Sequence, residues 1–239
     1  MYYNIRMIAL LSSMPFESDL VLAGLKGLRP TEIAGKKVYK GSLSGIKVLL
    51  LNTGIGKINA AHSATIVIEN FPVNKVINFG IGGAYPGSGL SNGDVAIASK
   101  EILGDEGVVS SKGWEGLEKI GIPLAQANGK KYFNEFPVFT PTLSKGLDFK
   151  IRSGAFVTVS AASGSTRRAK ELERRFNAIC ENMEGAAIAQ TCMIYNIPVF
   201  ELRGISNTAG VRDKRRWNMG LASLNCQKVV LDQINLLTN

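Results

Sequence analysis

The chain has a single histidine, His62, and only three cysteines, Cys180, Cys192 and Cys226. One histidine, set inside a helical pattern, cannot furnish a histidine cluster for a metal and reads as a structural residue. An odd number of widely spaced cysteines without a CxxC pair argues against a disulfide framework and against a zinc site. A reducing cytoplasm is therefore the expected compartment, and no metal or cofactor is expected. No apolar run approaches the roughly 20 residues of a membrane span. The apolar stretch 7–11 behind Arg6 is too short for a signal peptide and reads as a first strand. Runs of lysine and arginine interleaved with aromatics are also missing. Nucleic acid is thus not an expected partner despite a net charge of +9. A basic, non-catalytic nucleotide-binding module is the alternative from another class, and it predicts binding with a steep salt dependence.

What is present suits one α/β domain over residues 1–239: 45% of the chain is hydrophobic, ample for a core. Continuous apolar runs at 6–13, 75–79, 95–99, 154–160, 178–183 and 199–206 read as buried strands. Residues 37–43 and 46–52 bracket Ser44-Gly45 as a hairpin. Helical patterns cover 58–69, 166–176, a stretch from Glu184 to Tyr195, and 214–237. The section 101–150 is punctuated by glycine and proline and reads as long loops with short elements that cover a site.

Polar residues gather where strands end, and in α/β chains those ends converge on the ligand crevice. Asn182-Met183-Glu184-Gly185 follows one strand, and Arg203-Gly204-Ile205-Ser206-Asn207 closes another. Gly54-Ile55-Gly56-Lys57 and Gly80-Ile81-Gly82-Gly83 follow two more, where glycine lets the backbone approach a ligand. Neither has the G-x-G-x-x-G spacing of a dinucleotide site. Taken singly, Glu184 also suits a helix start, where an acid complements the dipole. Glu17, just past the first strand, likewise suits a solvated loop.

Taken together, these segments resemble the nucleoside phosphorylase/nucleosidase superfamily over nearly the whole chain. Gly104-Asp105-Glu106-Gly107-Val108 and the run from Asn207 through Arg212-Asp213 to Trp217 look like its futalosine hydrolase branch, which serves menaquinone biosynthesis. The resemblance implies a three-layer α/β/α sandwich around a mixed central sheet and a small nucleoside as substrate. It also implies a homo-oligomer, with the segment near Tyr132, Phe133 and Phe136 as one candidate contact.

By the same resemblance, Glu184 grips the ribose hydroxyls, with Met183 against the sugar and Ile55 lining its side of the pocket. Glu17 orients and deprotonates the attacking water, and Asn207 holds the purine near N7. Gly82, Ser206 and Arg212 are further substrate-binding candidates, with Arg212 or lysines and arginines of the covering loops open as partners for the carboxylate of futalosine's carboxyphenyl tail. The chain departs from the pattern at three places. Asn207 stands where adenine-cleaving nucleosidases carry Asp, Ala162 where they stack a Phe, and Ile81 where relatives have Ser. A carboxamide donates hydrogen bonds but no proton, which suits a 6-oxopurine leaving group better than adenine. Arginine is absent between Arg29 and Arg152, and a carboxylate at Glu17 suits water rather than phosphate. A purine nucleoside phosphorylase and a methylthioadenosine/adenosylhomocysteine-type nucleosidase remain the alternatives.

Overall fold

A computed structural model describes residues 6–237 except 112, 128 and 143–145. Strands β1 (Met7–Ser12), β2 (Lys26–Ile33), β3 (Lys36–Leu43), β4 (Ile46–Asn52), β5 (Val73–Ala84) and β6 (Val95–Leu103) occupy the first part of the chain. Five short strands follow: β7 (Gly107–Ser110), β8 (Gly113–Gly116), β9 (Ala125–Ala127), β10 (Lys130–Tyr132) and β11 (Glu135–Pro137). Then come β12 (Ile151–Thr158), β13 (Ala178–Asn182) and β14 (Val199–Thr208). The helices are α1 (Asp19–Ala23), α2 (Lys57–Asn70), α3 (Thr166–Phe176), α4 (Gly185–Ile194) and α5 (Met219–Leu236).

The central sheet runs β11-β6-β12-β13-β5-β1-β4-β3-β2, and β14 pairs with both β5 and β6. It is mixed: β1 is parallel to β4 and β5, whereas β13 is antiparallel to β5. Because β14 joins β5 to β6, the strands β5, β13, β12, β6 and β14 close on themselves. The bend falls on the glycines of β5, where side chains would obstruct closure. A side-chain carbon at Gly82 would lie 2.7 Å from Cys180 Sγ on β13 and 3.1 Å from Arg203 Cβ on β14.

Period-2 alternation sends successive residues of each strand to opposite layers. Ala9, Leu11, Leu49 and Leu51 pack with Ala60, Ala64 and Val67 of α2 and Ala186, Ile188 and Ala189 of α4. Ile8, Leu10, Val48 and Leu50 pack instead with Val21 of α1 and Val229, Val230 and Ile234 of α5. Helix α3 closes a third cluster with Ala169 and Leu172 against Val157 and Tyr85. No helix among the described residues is long and apolar enough to cross a membrane.

Several boundaries differ from the sequence expectation. Strand β2 was not expected, because Pro30 interrupts its run; as the terminal strand of the sheet it pairs only with β3, where proline is tolerated. Strand β5 continues through the glycine run to Ala84 instead of stopping at 79. Residues 214–216 form a separate 3-10 turn, and α5 starts at Met219, where Asn218 accepts the Leu221 N–H at 3.0 Å. His62 is exposed on α2 and has no place in the core. Phe136 is 1% exposed and packs inside, so it is not offered to a neighbouring chain.

One position shows how tightly β14 is laid on α5. A side-chain carbon at Gly204 would overlap the backbone carbonyl of Ala222. Gly204→Ala must therefore push the helix away, and an expected loss of about 1–3 kcal/mol follows from overpacking. A urea midpoint equal to that of the parent chain would show that the helix yields without cost.

Candidate active site

Five strands, at or near their ends, build one cavity of about 440 Å³. It is lined by Glu17 and Ile55 behind β1 and β4, Gly82 on β5, Met183 and Glu184 behind β13, Ser206 and Asn207 on β14, and Arg212 beyond it. All eight residues singled out from sequence thus face a single space. Ile81 and Ala162, two of the departures noted above, line it as well.

Glu17 sits in the short 3-10 turn Pro15–Glu17 and is 2% exposed. Its carboxylate accepts three hydrogen bonds: Ser13 Oγ at 2.6 Å, the Met14 N–H at 2.7 Å and the Ile81 N–H at 2.8 Å. This is no solvated loop acid. Asn52 holds the turn by donating to Ser12 Oγ and Ser18 Oγ at 2.7 and 2.9 Å. Gly80 gives the carboxylate room, since a side-chain carbon there would lie 2.6 Å from Glu17 Oε1.

Glu184 precedes α4, yet its side chain does not cap that helix. Asn182 Oδ1 does so instead, accepting from the N–H groups of Glu184 at 3.0 Å and Gly185 at 2.7 Å. Thr158 Oγ takes the next one, from Ala186, at 2.8 Å. With those donors satisfied, the Glu184 carboxylate turns to the cavity. Oε1 accepts from the Gly56 N–H at 2.9 Å and Oε2 meets Arg203 at 3.4 Å. Burial raises its pKa above the usual carboxylate range; Arg203 and the Gly56 N–H oppose that rise without cancelling it.

Asn207 is oriented by its neighbours. Ser206 Oγ lies 2.8 Å from Asn207 Oδ1, and Nδ2 donates to the Thr208 carbonyl at 2.9 Å. An amide nitrogen carries two protons, so one N–H remains for a ligand. Arg212 is the one basic side chain lining the cavity among the described residues, and its guanidinium lies 4.9 Å from the centre of the Trp217 ring. Trp217, Phe16, Met14 and Met219 add apolar wall to the cavity.

Lys57, in the glycine loop, is held away from this space by Asp105 at 2.8 Å and Glu106 at 2.9 Å. Burial alone would raise the Asp105 pKa, but Lys57 and the Ser160 N–H hold it below its usual value. Among the described residues no three histidine, cysteine or acidic side chains are grouped to hold a metal ion.

Behind the cavity lies a buried charge network that the sequence reading did not assign. Arg203, 1% exposed, puts Nε and one terminal nitrogen on Glu201 Oε1 at 3.0 and 2.8 Å, and its other nitrogen on Glu184. Glu101, from the distant strand β6, accepts from Thr158 Oγ at 2.8 Å and Asn182 Nδ2 at 2.7 Å. The signal for Glu201 and Arg203 was there: opposite charges two residues apart in an apolar strand share one face and must be paired to be buried. Glu181 also lines the cavity and accepts from Ser163 N–H at 2.7 Å and Ser163 Oγ at 2.5 Å.

Residues 7–235 match the family model of the Phosphorylase superfamily. The chain belongs to this superfamily. A futalosine hydrolase of Thermus thermophilus is 40% identical over 178 residues, 73% of this chain and 76% of that protein. A 5'-methylthioadenosine/S-adenosylhomocysteine nucleosidase of an Exiguobacterium species is 30% identical over 227 residues, 94% and 95% of the two chains. Among solved structures, the corresponding nucleosidase of S. pneumoniae with a transition-state inhibitor superposes with a TM-score of 0.82 at 25% identity, covering 97% and 99% of the chains. The mixed α/β sandwich is thus the superfamily's own architecture.

Proposed function

We propose that this phosphorylase-superfamily chain hydrolyses the N-glycosidic bond of futalosine, releasing hypoxanthine and dehypoxanthine futalosine, as a step of menaquinone biosynthesis. The observation that carries the reading is the convergence of two buried carboxylates, Glu17 and Glu184, on one cavity with a carboxamide, Asn207, and no aspartate in its place.

Glu17 is the base that takes a proton from the attacking water. Its three donors fix the carboxylate in place, so little reorganisation accompanies the proton transfer. Glu184 holds the ribose diol, with Met183 and Ile55 against the sugar. As the glycosidic bond breaks, the sugar becomes oxocarbenium-like and negative charge moves onto the purine. Asn207 meets that charge with its remaining N–H. A 6-oxopurine spreads the charge onto O6 and can leave without a proton from the enzyme, whereas adenine loses the acid it depends on.

Water is favoured over phosphate by the same geometry. Three carboxylates, Glu17, Glu181 and Glu184, line the cavity, and Lys57 of the glycine loop is engaged elsewhere. Arg212 on Trp217 is the cation available for the carboxylate of futalosine's carboxyphenyl tail.

Purified protein mixed with futalosine, inosine or methylthioadenosine in phosphate-free buffer tests this directly. Hypoxanthine from futalosine, detected by chromatography, is the expected result. Cleavage of inosine only after phosphate is added would make the chain a phosphorylase, and adenine from methylthioadenosine would show that Asn207 does not set base choice.

A further inference from the structure

The buried acids Glu101 and Glu201 have no part in the steps above, and both are 0% exposed. They come from β6 and β14, and their carboxyl groups meet beside Gly185 at the start of α4. A side-chain carbon there would run into Glu101 Oε1 and both oxygens of Glu201. Arg203 makes both its contacts to Glu201 through Oε1, and Glu201 Oε2 is buried without a donor. A carboxylate oxygen orphaned in this way is costly unless a neighbour supplies a proton. Glu101 Oε1, crowded against both Glu201 oxygens beside Gly185, is the neighbouring group that can bring one.

We propose that Glu101 and Glu201 share one proton as a carboxylic acid–carboxylate pair that holds Arg203 in register with Glu184. The proton lies between the two carboxyl groups and reaches Glu201 Oε2, while Glu101 still accepts from Asn182 Nδ2 and Thr158 Oγ. The pair then carries one negative charge, directed at Arg203. Burial, and next the charge of Glu201, push the Glu101 carboxyl well above the usual range, in the same sense. The other groups facing the pair are Arg203, Glu184 at the head of α4, and the sulfurs of Cys180 and Cys192, whose thiols burial pushes well above their usual pKa. Glu101 and Glu201 are positioning residues: neither lines the cavity.

The protonation half of this inference is independent of the substrate, while its effect on rate rests on the proposed hydrolysis. Infrared spectra of the intact protein at neutral pH, recorded as differences between parent and variants, separate the two. The parent chain should show the carbonyl band of a protonated, buried carboxylic acid. Glu101→Gln removes the acid, and Glu201→Gln lets Glu101 ionise because the new amide donates to it, so both should lose that band. A band lost in Glu101→Gln but kept in Glu201→Gln would mean that burial alone protonates Glu101, and the shared pair would be refuted. A band unchanged in both would refute it equally.

For positioning, Glu201→Leu removes two of the three contacts of Arg203 and leaves only the one to Glu184. It should lower kcat on futalosine about 10²-fold with a smaller change in KM, the size expected for misplacement. Glu201→Gln keeps an oxygen for Arg203 and should recover most of that loss. Full activity in Glu201→Leu would remove the positioning role. If the parent chain does not cleave futalosine, the proposed function fails while the infrared result still decides the pair.

Discussion

Glu17→Gln is expected to lower the single-turnover rate on futalosine by about 10²–10⁴-fold, the range for loss of a general base. The substitution keeps the length of the side chain and removes its basicity. It also disturbs the local hydrogen bonds in a defined way. Ser13 Oγ, the Met14 N–H and the Ile81 N–H all donate to the carboxylate, two to Oε2 and one to Oε1. A glutamine amide has one oxygen, so at least one of the two backbone donors loses its acceptor. Some loss of stability is expected alongside the loss of rate, and the two must be read separately. Circular dichroism and binding of hypoxanthine should remain near the parent's, because Asn207 and Glu184 are untouched. A variant with full rate would show that another group activates the water. One that neither folds nor binds base would speak only to the turn.

Arg203→Met should produce the largest loss of stability, about 3–5 kcal/mol, because it removes the cation from a buried cluster and leaves the acids behind. Burial works against the charged guanidinium, yet Glu201, Glu184 and Glu17 hold its pKa well above the usual value. The deficit has a definite pH dependence. Without Arg203, Glu101 and Glu184, which burial already raises, rise further above their unfolded values, so the folded variant binds protons that the unfolded chain does not. Such stability is present at low pH and is lost as pH rises. The urea midpoints of variant and parent should therefore lie furthest apart at neutral pH and approach each other on acidification. A constant gap would mean that the loss is one of packing volume and not of charge.

Much of the frame could be read from residue pattern. The apolar runs of β1, β4, β13 and β14 are bounded by glycine or polar residues, and the cavity residues lie at or just beyond their ends. Strand β2 was hidden because Lys26–Ile33 is largely exposed and contains Pro30, so neither alternation nor an apolar run marks it. Glu184 looked like a helix-start acid; only the three-dimensional placement of Asn182 and Thr158 shows that other side chains cap α4. Glu101 was invisible for a different reason. Its partners Asn182 and Glu201 lie 81 and 100 residues further along the chain, and no local pattern signals a pairing between strands so far apart. Ile81 illustrates the reverse case: its side chain is a departure only from the pattern that the resemblance implies, while its backbone N–H serves Glu17, a role any residue but proline can fill.

The closure of the sheet by β14 also sets the order in which the molecule can come into being. Val199 pairs with Val76, so β5 emerges from the ribosome about 120 residues before the strand that covers its flank. At roughly 5–20 residues per second, that interval is on the order of 6–25 s. During it the apolar flank of β5 lacks a native neighbour, the situation in which nascent chains are most open to mispairing. Because β14 brings Arg203, Ser206 and Asn207 with it, the cavity stays incomplete until that strand and the residues through Met219 have been made.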